Sequence, residues 1–227
     1  MQASSNWLKL QKKQNKNSKK IGTVKIRTPM TKMALPEKST KSTKTFTTRE
    51  KEVGKYIAID CEFVGVGPDG RESELARVSI VNFFGNVIYD SFVKPRSTVT
   101  DWRTWVSGVS KSDMKNAVTF FEAQKVVADL IKGKVLIGHD VQNDLSCLLL
   151  DHPRSMTRDT SNFPPFKKLG KGKKIALKKL AMLLLGKDIQ NGQHSSIEDA
   201  TITMELYKKE KKEFERLYNL GRKGKQT

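Results

Sequence analysis

The sequence predicts an α/β domain built on a mixed β-sheet and preceded by a basic arm. Three observations carry that reading. Strand-like runs come first, at YIAIDCEFVGVG, ARVSIVNF and NVIYDSFVKP, and only afterwards do helical and strand patterns alternate. With 227 residues, 37% of them hydrophobic, the chain has enough apolar material for one good core. Residues 1–50 hold thirteen Lys or Arg against only Glu37 and Glu50, a net +11 out of the chain's +19.

The elements follow in order. Residues 1–50 mix Lys, Ser, Thr, Asn and Gln with few large apolar groups, so burial cannot offset the entropy of ordering and the arm is expected to be disordered. From Tyr56 the three strands begin, with FFGN as a hairpin turn between the second and third. FEAQKVVADLI has helical spacing, KVLIG reads as a short buried strand, and NDLSCLLL as a short helix. Beyond Pro164 and Pro165, helices are expected around IALKKLAMLLLG and from Ser196 to about Tyr218. The domain is therefore assigned to residues 51–218, with a basic tail at 219–227. No internal repeat is visible.

A net charge of +19 and a pI near 9.9 exceed what solubility needs and imply a polyanionic partner. Nucleic acid comes first and an anionic membrane surface second. No signal-peptide core and no apolar run of about 20 residues is present, so a soluble intracellular protein is expected. Cys61 and Cys147 lie far apart without CxxC spacing, which argues against a disulfide framework or a zinc site.

Chemistry concentrates in three places. In Ile57-Ala58-Ile59-Asp60-Cys61-Glu62-Phe63, two carboxylates interrupt a buried strand at i and i+2, which places them on one face. Two like charges there repel and are poorly solvated, and a divalent cation is the natural counter-charge; a polar strand face meeting water is the blander alternative. After the short strand, Gly138-His139-Asp140-Val141-Gln142-Asn143-Asp144 offers Asp140 and Asp144 as acidic ligands, and spacing does not choose between them. Asp144 also suits a helix start without any ligand. Finally, Ser195-Ser196-Ile197-Glu198 has a capping-box pattern, which puts Asp199 in the first turn of a helix and His194 in the loop before it. Taken alone, His194 is an ordinary surface residue.

Taken together, Asp60-x-Glu62, Gly138-His139-x4-Asp144 and His194-x4-Asp199 resemble the three motifs of the DEDDh family of RNase H-like 3′→5′ exonucleases, over about Tyr56 to Tyr218. The stretches IDCEFVGVGPDGRESELARVSIVN, FVKP, TWVSGV, RDTS and HSSIEDATITMELY are similar to the eukaryotic RNA exonuclease 4 branch, which acts in ribosomal-RNA processing. The resemblance implies an RNase H-like mixed sheet flanked by helices. It also implies a 3′→5′ exoribonuclease that cleaves single-stranded RNA, and single-stranded DNA as a further substrate, with a ribosomal-RNA precursor as partner. It selects Asp144 over Asp140, and it implies that Asp60 bridges two ions, with Glu62 and Asp199 on one and Asp144 on the other. All-oxygen ligands point to Mg²⁺ or Mn²⁺ rather than Zn²⁺. His194 is then the general base, since an imidazole titrates near neutral pH. A nuclear or nucleolar monomer is the matching expectation, and KKQNKNSKK resembles a nuclear-localisation patch as well as a solvated tail. Two positions depart from the family: Asp140, where relatives commonly carry an apolar residue and whose carboxylate is expected to face water, and Phe63, where many carry Met.

Other readings weigh less. Gly65-Val66-Gly67-Pro68-Asp69-Gly70 fits GxGxxG with Asp90 at a suitable distance, but Pro68-Asp69-Gly70 reads as a turn leading into a strand where a dinucleotide fold needs a helix. The run Lys167-Lys168-Leu169-Gly170-Lys171-Gly172-Lys173-Lys174 is either a solvated loop or a phosphate contact, and its place between the second and third motifs favours contact through Lys167, Lys168, Lys171, Lys173 and Lys174. Of Trp102 and Trp105, at least one should be core, and Trp105 is the candidate stacking platform. The rival from another class is a non-catalytic RNA-binding assembly factor on a nuclease fold. The presence of all four acids and the histidine argues for the enzyme.

Overall fold

The structure, a computed structural model, describes residues 52–223; the expected basic arm lies outside them. Three long strands open the domain: β1 (Tyr56–Val66), β2 (Glu72–Asn82) and β3 (Val87–Lys94). The FFGN turn closes the β2–β3 hairpin as expected, with Asn82 N–H donating to the carbonyl of Asn86 at 2.9 Å. A short β4 (Val99–Asp101) leads into a four-residue helix, α1 (Thr104–Ser107), and β5 (Val118–Thr119) leads directly into α2 (Phe120–Ile131). The capping box of α2 is complete: Glu122 N–H donates to Thr119 Oγ1, and Thr119 N–H donates back to Glu122 Oε2.

Strand β6 (Val135–Gly138) is followed by α3 (Val141–Cys147), β7 (Thr157–Asp159), α4 (Pro164–Leu169) and α5 (Leu177–Leu180), which passes into a π-helical turn at Ala181–Leu185. The last helix, α6, spans Ser196–Lys223. Among the described residues the strands form one sheet in the order β5-β3-β2-β1-β6-β7, with β4 on the far end of β1. The β1–β2, β2–β3 and β1–β4 pairs are antiparallel, while β1–β6, β6–β7 and β3–β5 are parallel. The sheet is mixed, as the pattern predicts.

Alternation along β1 sorts the core into two layers. Ile57, Ile59 and Cys61 face one way and pack with Val127 of α2 and Leu145 of α3. Ala58 faces the other way and packs with Tyr207 and Phe214 of α6. Asp60 and Glu62 continue the Ala58 face, so they look toward α6. The far half of α6 is anchored twice. Phe214 stacks on Phe163 with ring centroids 3.6 Å apart, and Glu215 takes a bidentate pair from the buried Arg158 of β7 at 2.9 Å together with the hydroxyl of Tyr207 at 2.8 Å.

Several expectations change. The second strand starts at Glu72 rather than near Ala76. The helix read over NDLSCLLL stops at Cys147, and Leu149 turns left-handed at φ 53°. Pro164 and Pro165 form the first turn of α4 rather than preceding the helices, because proline suits a position whose N–H has no helical partner. Lys167 and Lys168 consequently sit on a helix, not in a loop. The last helix continues to Lys223, beyond the expected end near Tyr218. No helix is long and apolar enough to cross a membrane among the described residues.

Candidate active site

Strand β1 supplies the first two acids. Asp60 lies opposite Ser79 and Glu62 opposite Arg77 of β2, and the register slips at a bulge directly after Glu62. Asp199 arrives from the first turn of α6, and the carboxylates of Asp60, Glu62 and Asp199 each offer an oxygen within 4.8 Å of the others. Glu62 and Asp199 are buried, and Asp60 is half-buried. Such a trio in a low-dielectric setting is hard to ionise together. Burial pushes the Glu62 carboxyl up to about 8, with Asp199 adding to the rise and Arg77 opposing it. Asp60 is raised well above the usual carboxylate range by burial and then by Asp144, Asp199 and Glu62. Asp199 is raised by burial, against the opposing hydrogen bond from Gln190 and the nearby His194.

Asp144 is placed by α3. Gly138 makes the placement possible: a Cβ there would stand 2.5 Å from the Cβ of Val141, so only glycine lets α3 start this close to the end of β6. Asp144 is buried on the inner side of the helix and is raised by burial first, then by Asp140, Asp159 and Glu62, while a hydrogen bond from the Cys61 thiol works the other way. It lies outside the 4.8 Å trio.

The two aspartates that spacing left equal are thus placed differently. Asp140 caps α3 in a left-handed conformation, and its half-exposed carboxylate accepts from Lys174 Nζ at 2.6 Å. The expectation that Asp140 simply faces water is corrected: it holds the end of the basic run. Lys168, Lys171, Lys173 and Lys174 are exposed and Lys167 is half-buried.

Glu62 Oε1, Asp144 Oδ2 and Asp199 Oδ1 are buried and have no hydrogen-bond partner. Leaving a buried carboxylate oxygen unpartnered is costly, and those of Glu62 and Asp199, both in the trio, fit the coordination of hard divalent cations by oxygen. The acidic cluster therefore has the donor set and the orphaned atoms that a metal site requires.

His194 occupies the loop before α6, with Nδ1 3.9 Å from Asp199 Oδ2. Its backbone is tied to α1, since His194 N–H donates to Val106 O at 2.7 Å. Gly108, at φ +66°, ends α1, and a Cβ there would lie 2.9 Å from the His194 carbonyl oxygen. Trp105 on the same helix is 78% exposed, whereas Trp102 packs against the cluster of Val64, Ala76 and Val109. The expected helix start at Ser196 is found, but the capping box is not. Glu198 takes the N–H of Gln190 at 3.3 Å, and Ser196 Oγ lies 2.6 Å from Ser79 Oγ.

Sequence reasoning passed over a polar chain behind the trio. Arg77 forks onto Asp90 at 2.9 and 3.0 Å, Ser79 Oγ donates to Asp90 at 2.7 Å, and Ser79 links on to Ser196. Asp90, weighed as a ribose-binding acid, is committed to this chain. The one available signal was Arg77 itself, a charge inside the apolar run ARVSIV. Gln190, whose Nε2 donates to Asp199 Oδ2 at 2.8 Å, carried no sequence signal.

A family profile described as "Exonuclease" matches residues 57–207. RNA exonuclease 4 of Saccharomyces cerevisiae is 60% identical over 171 residues, which cover 75% of this chain and 59% of that protein. The Candida glabrata protein of the same name is 53% identical over 89% of this chain and 76% of its own length. This chain thus spans little more than half of the yeast relative. The Saccharomyces cerevisiae Pan2 pseudoubiquitin hydrolase–RNA exonuclease module in complex with AAGGA RNA superposes with a TM-score of 0.62 at 29% identity, over 79% of this chain and 34% of that one. The Neurospora crassa Pan2 catalytic unit gives 0.63 at 29% identity, over 75% and 29%. The mixed sheet flanked by helices is the RNase H-like fold of these enzymes, and the chain belongs to the exonuclease family.

Proposed function

We propose that this chain is a metal-dependent 3′→5′ exoribonuclease that hydrolyses single-stranded RNA. The observation that carries the proposal is the acidic trio of Asp60, Glu62 and Asp199, drawn from β1 and α6, with buried carboxylate oxygens that no protein group satisfies. Asp60, Glu62 and Asp199 would hold one divalent cation, and Asp60 with Asp144 a second, with Mg²⁺ or Mn²⁺ suited to an all-oxygen donor set. When bound, such a pair supplies charge neutralisation at the phosphate, an activated water and stabilisation of the leaving 3′ oxygen.

The chain's own groups do the rest. His194, tethered at its backbone and half-exposed at its ring, takes a proton from the attacking water at a ring nitrogen. Exposed Trp105 offers a face on which a base stacks, a contact worth about 1 to 3 kcal/mol per base. Lys167, Lys168, Lys171, Lys173 and Lys174 neutralise backbone phosphates on the side of α3. Nucleic acid is also the partner that a +19 chain selects. The names of the yeast relative and the RNA-bound Pan2 module support RNA as the substrate class. A ribosomal-RNA precursor as natural substrate, a nuclear or nucleolar location directed by the basic arm, single-stranded DNA as a second substrate and a monomeric state complete the proposal.

The test uses RNA and DNA oligomers labelled at either end and digested with and without chelator. Stepwise shortening of 5′-labelled RNA, abolished by chelator and restored by Mg²⁺ or Mn²⁺, is the expected result. Binding without cleavage under every metal condition would instead identify an RNA-binding factor on a nuclease fold.

A further inference from the structure

Gln190 stands in the loop between the π-helical turn and α6, nine residues before Asp199. Its backbone is left-handed at φ 56°, a conformation that costs a non-glycine residue energy and persists only where the surroundings impose it. Three contacts impose it here. Its N–H donates to Glu198 Oε2 at 3.3 Å, its carbonyl accepts from Lys178 Nζ at 3.2 Å, and its side-chain Nε2 donates to Asp199 Oδ2 at 2.8 Å.

The last contact divides the Asp199 carboxylate into two unlike oxygens. Oδ2 is anchored by the amide, and Oδ1 is left buried without a protein partner. His194 Nδ1 lies 3.9 Å from the same Oδ2, beyond hydrogen-bond distance, so the amide is the closer side-chain partner of that oxygen. An amide is also the right donor chemically. It orients a carboxylate as a lysine or arginine would, but adds no positive charge to oppose a cation on the other oxygen.

We propose that Gln190 is a positioning residue that fixes the rotamer of Asp199 through Oδ2 and so presents Oδ1 as a metal ligand. The inference rests on the metal reading of the acidic trio. It assigns Gln190 no contact with RNA.

The full chain and two variants, Gln190→Met and Gln190→Asn, would be titrated with Mn²⁺ in the absence of RNA, with free ion followed by electron paramagnetic resonance. Methionine keeps the length and removes the donor, while asparagine keeps the amide but falls one methylene short. Both should weaken Mn²⁺ binding by about 10- to 100-fold, the usual effect of removing an outer-shell partner. The melting temperature measured in chelator should stay close to that of the parent, and turnover should fall while KM for RNA does not. Parental Mn²⁺ affinity in both variants would overturn the proposal, as would a loss of affinity that merely follows a loss of folded protein seen by circular dichroism. A parent chain that takes up no Mn²⁺ would instead remove the metal reading itself, so the two failures are told apart by the unmutated protein.

Discussion

His194 donates its backbone N–H to the carbonyl of Val106 at 2.7 Å, which joins the loop carrying the proposed general base to the helix carrying the exposed Trp105. Gly108 closes that junction, because a side chain there would press on the His194 carbonyl from 2.9 Å. Gly108→Ala should therefore displace the imidazole while leaving the acids in place. A displacement near 1 Å costs up to about 100-fold in rate, so a 10- to 100-fold fall in single-turnover cleavage is expected. Mn²⁺ affinity should not change, and a variant that cleaves like the parent would show that the junction does not orient His194.

Replacing the proposed base itself should give a larger effect. His194→Ala should lower turnover by roughly 10²- to 10⁴-fold with a modest change in RNA affinity, as expected for the loss of general-base catalysis. Steady-state kinetics on one short oligomer separate the two parameters. Little loss of rate, with an unchanged acid limb in the pH profile, would take His194 out of the mechanism.

The acids should behave as one unit. Asp60→Ala, Glu62→Ala, Asp144→Ala and Asp199→Ala should each nearly abolish hydrolysis, and double variants should be little worse than single ones. Asp140→Ala breaks the half-exposed pair with Lys174, whose type contributes about 0 to 1 kcal/mol to stability, and puts alanine at a left-handed position that aspartate tolerates better. It should stay folded and active. The opposite ranking of Asp144 and Asp140 in a cleavage assay would reassign the site.

Stability of the metal-free protein should fall with rising pH. Glu62 is held up from an ordinary 4.5 to about 8, so between those values the folded state keeps a proton that the unfolded state has released. Its contribution is fully present below about pH 4.5 and is lost as pH climbs through about 8. Thermal melts in chelator from about pH 5 to about pH 8 should slide downward, and Glu62→Gln should flatten the slope and melt higher at the alkaline end. A pH-independent Glu62→Gln difference would contradict this.

Much of this architecture was legible because its signals are local. Alternation in β1 put Asp60 and Glu62 on one face, and the helical spacing of FEAQKVVADLI marked α2. What escaped depended on distant partners. The strands β4, β5 and β7 are two or three residues long and exist only through pairing with β1, β3 and β6. The Glu198 carboxylate had two acceptable donors, and tertiary structure gave it Gln190 in place of Ser195. Likewise Asp140 looked solvent-bound until the fold brought Lys174 to it from 34 residues away. Gln190 was invisible for the same reason, since neither its left-handed backbone nor its carboxylate partner is written in neighbouring residues.

The acidic trio is split between the first strand and the last helix, and this has a consequence for biosynthesis. At ordinary elongation rates, on the order of ten seconds separate the emergence of Asp60 from that of Asp199. Through that interval the nascent chain carries its first two carboxylates without the third, and any product interrupted before α6 contains every strand of the described sheet but no complete cluster. If the trio is the catalytic site, a chain assembled in this order would be inert until its final helix docks, and the ribosome making it would not be exposed to a working enzyme partway through translation.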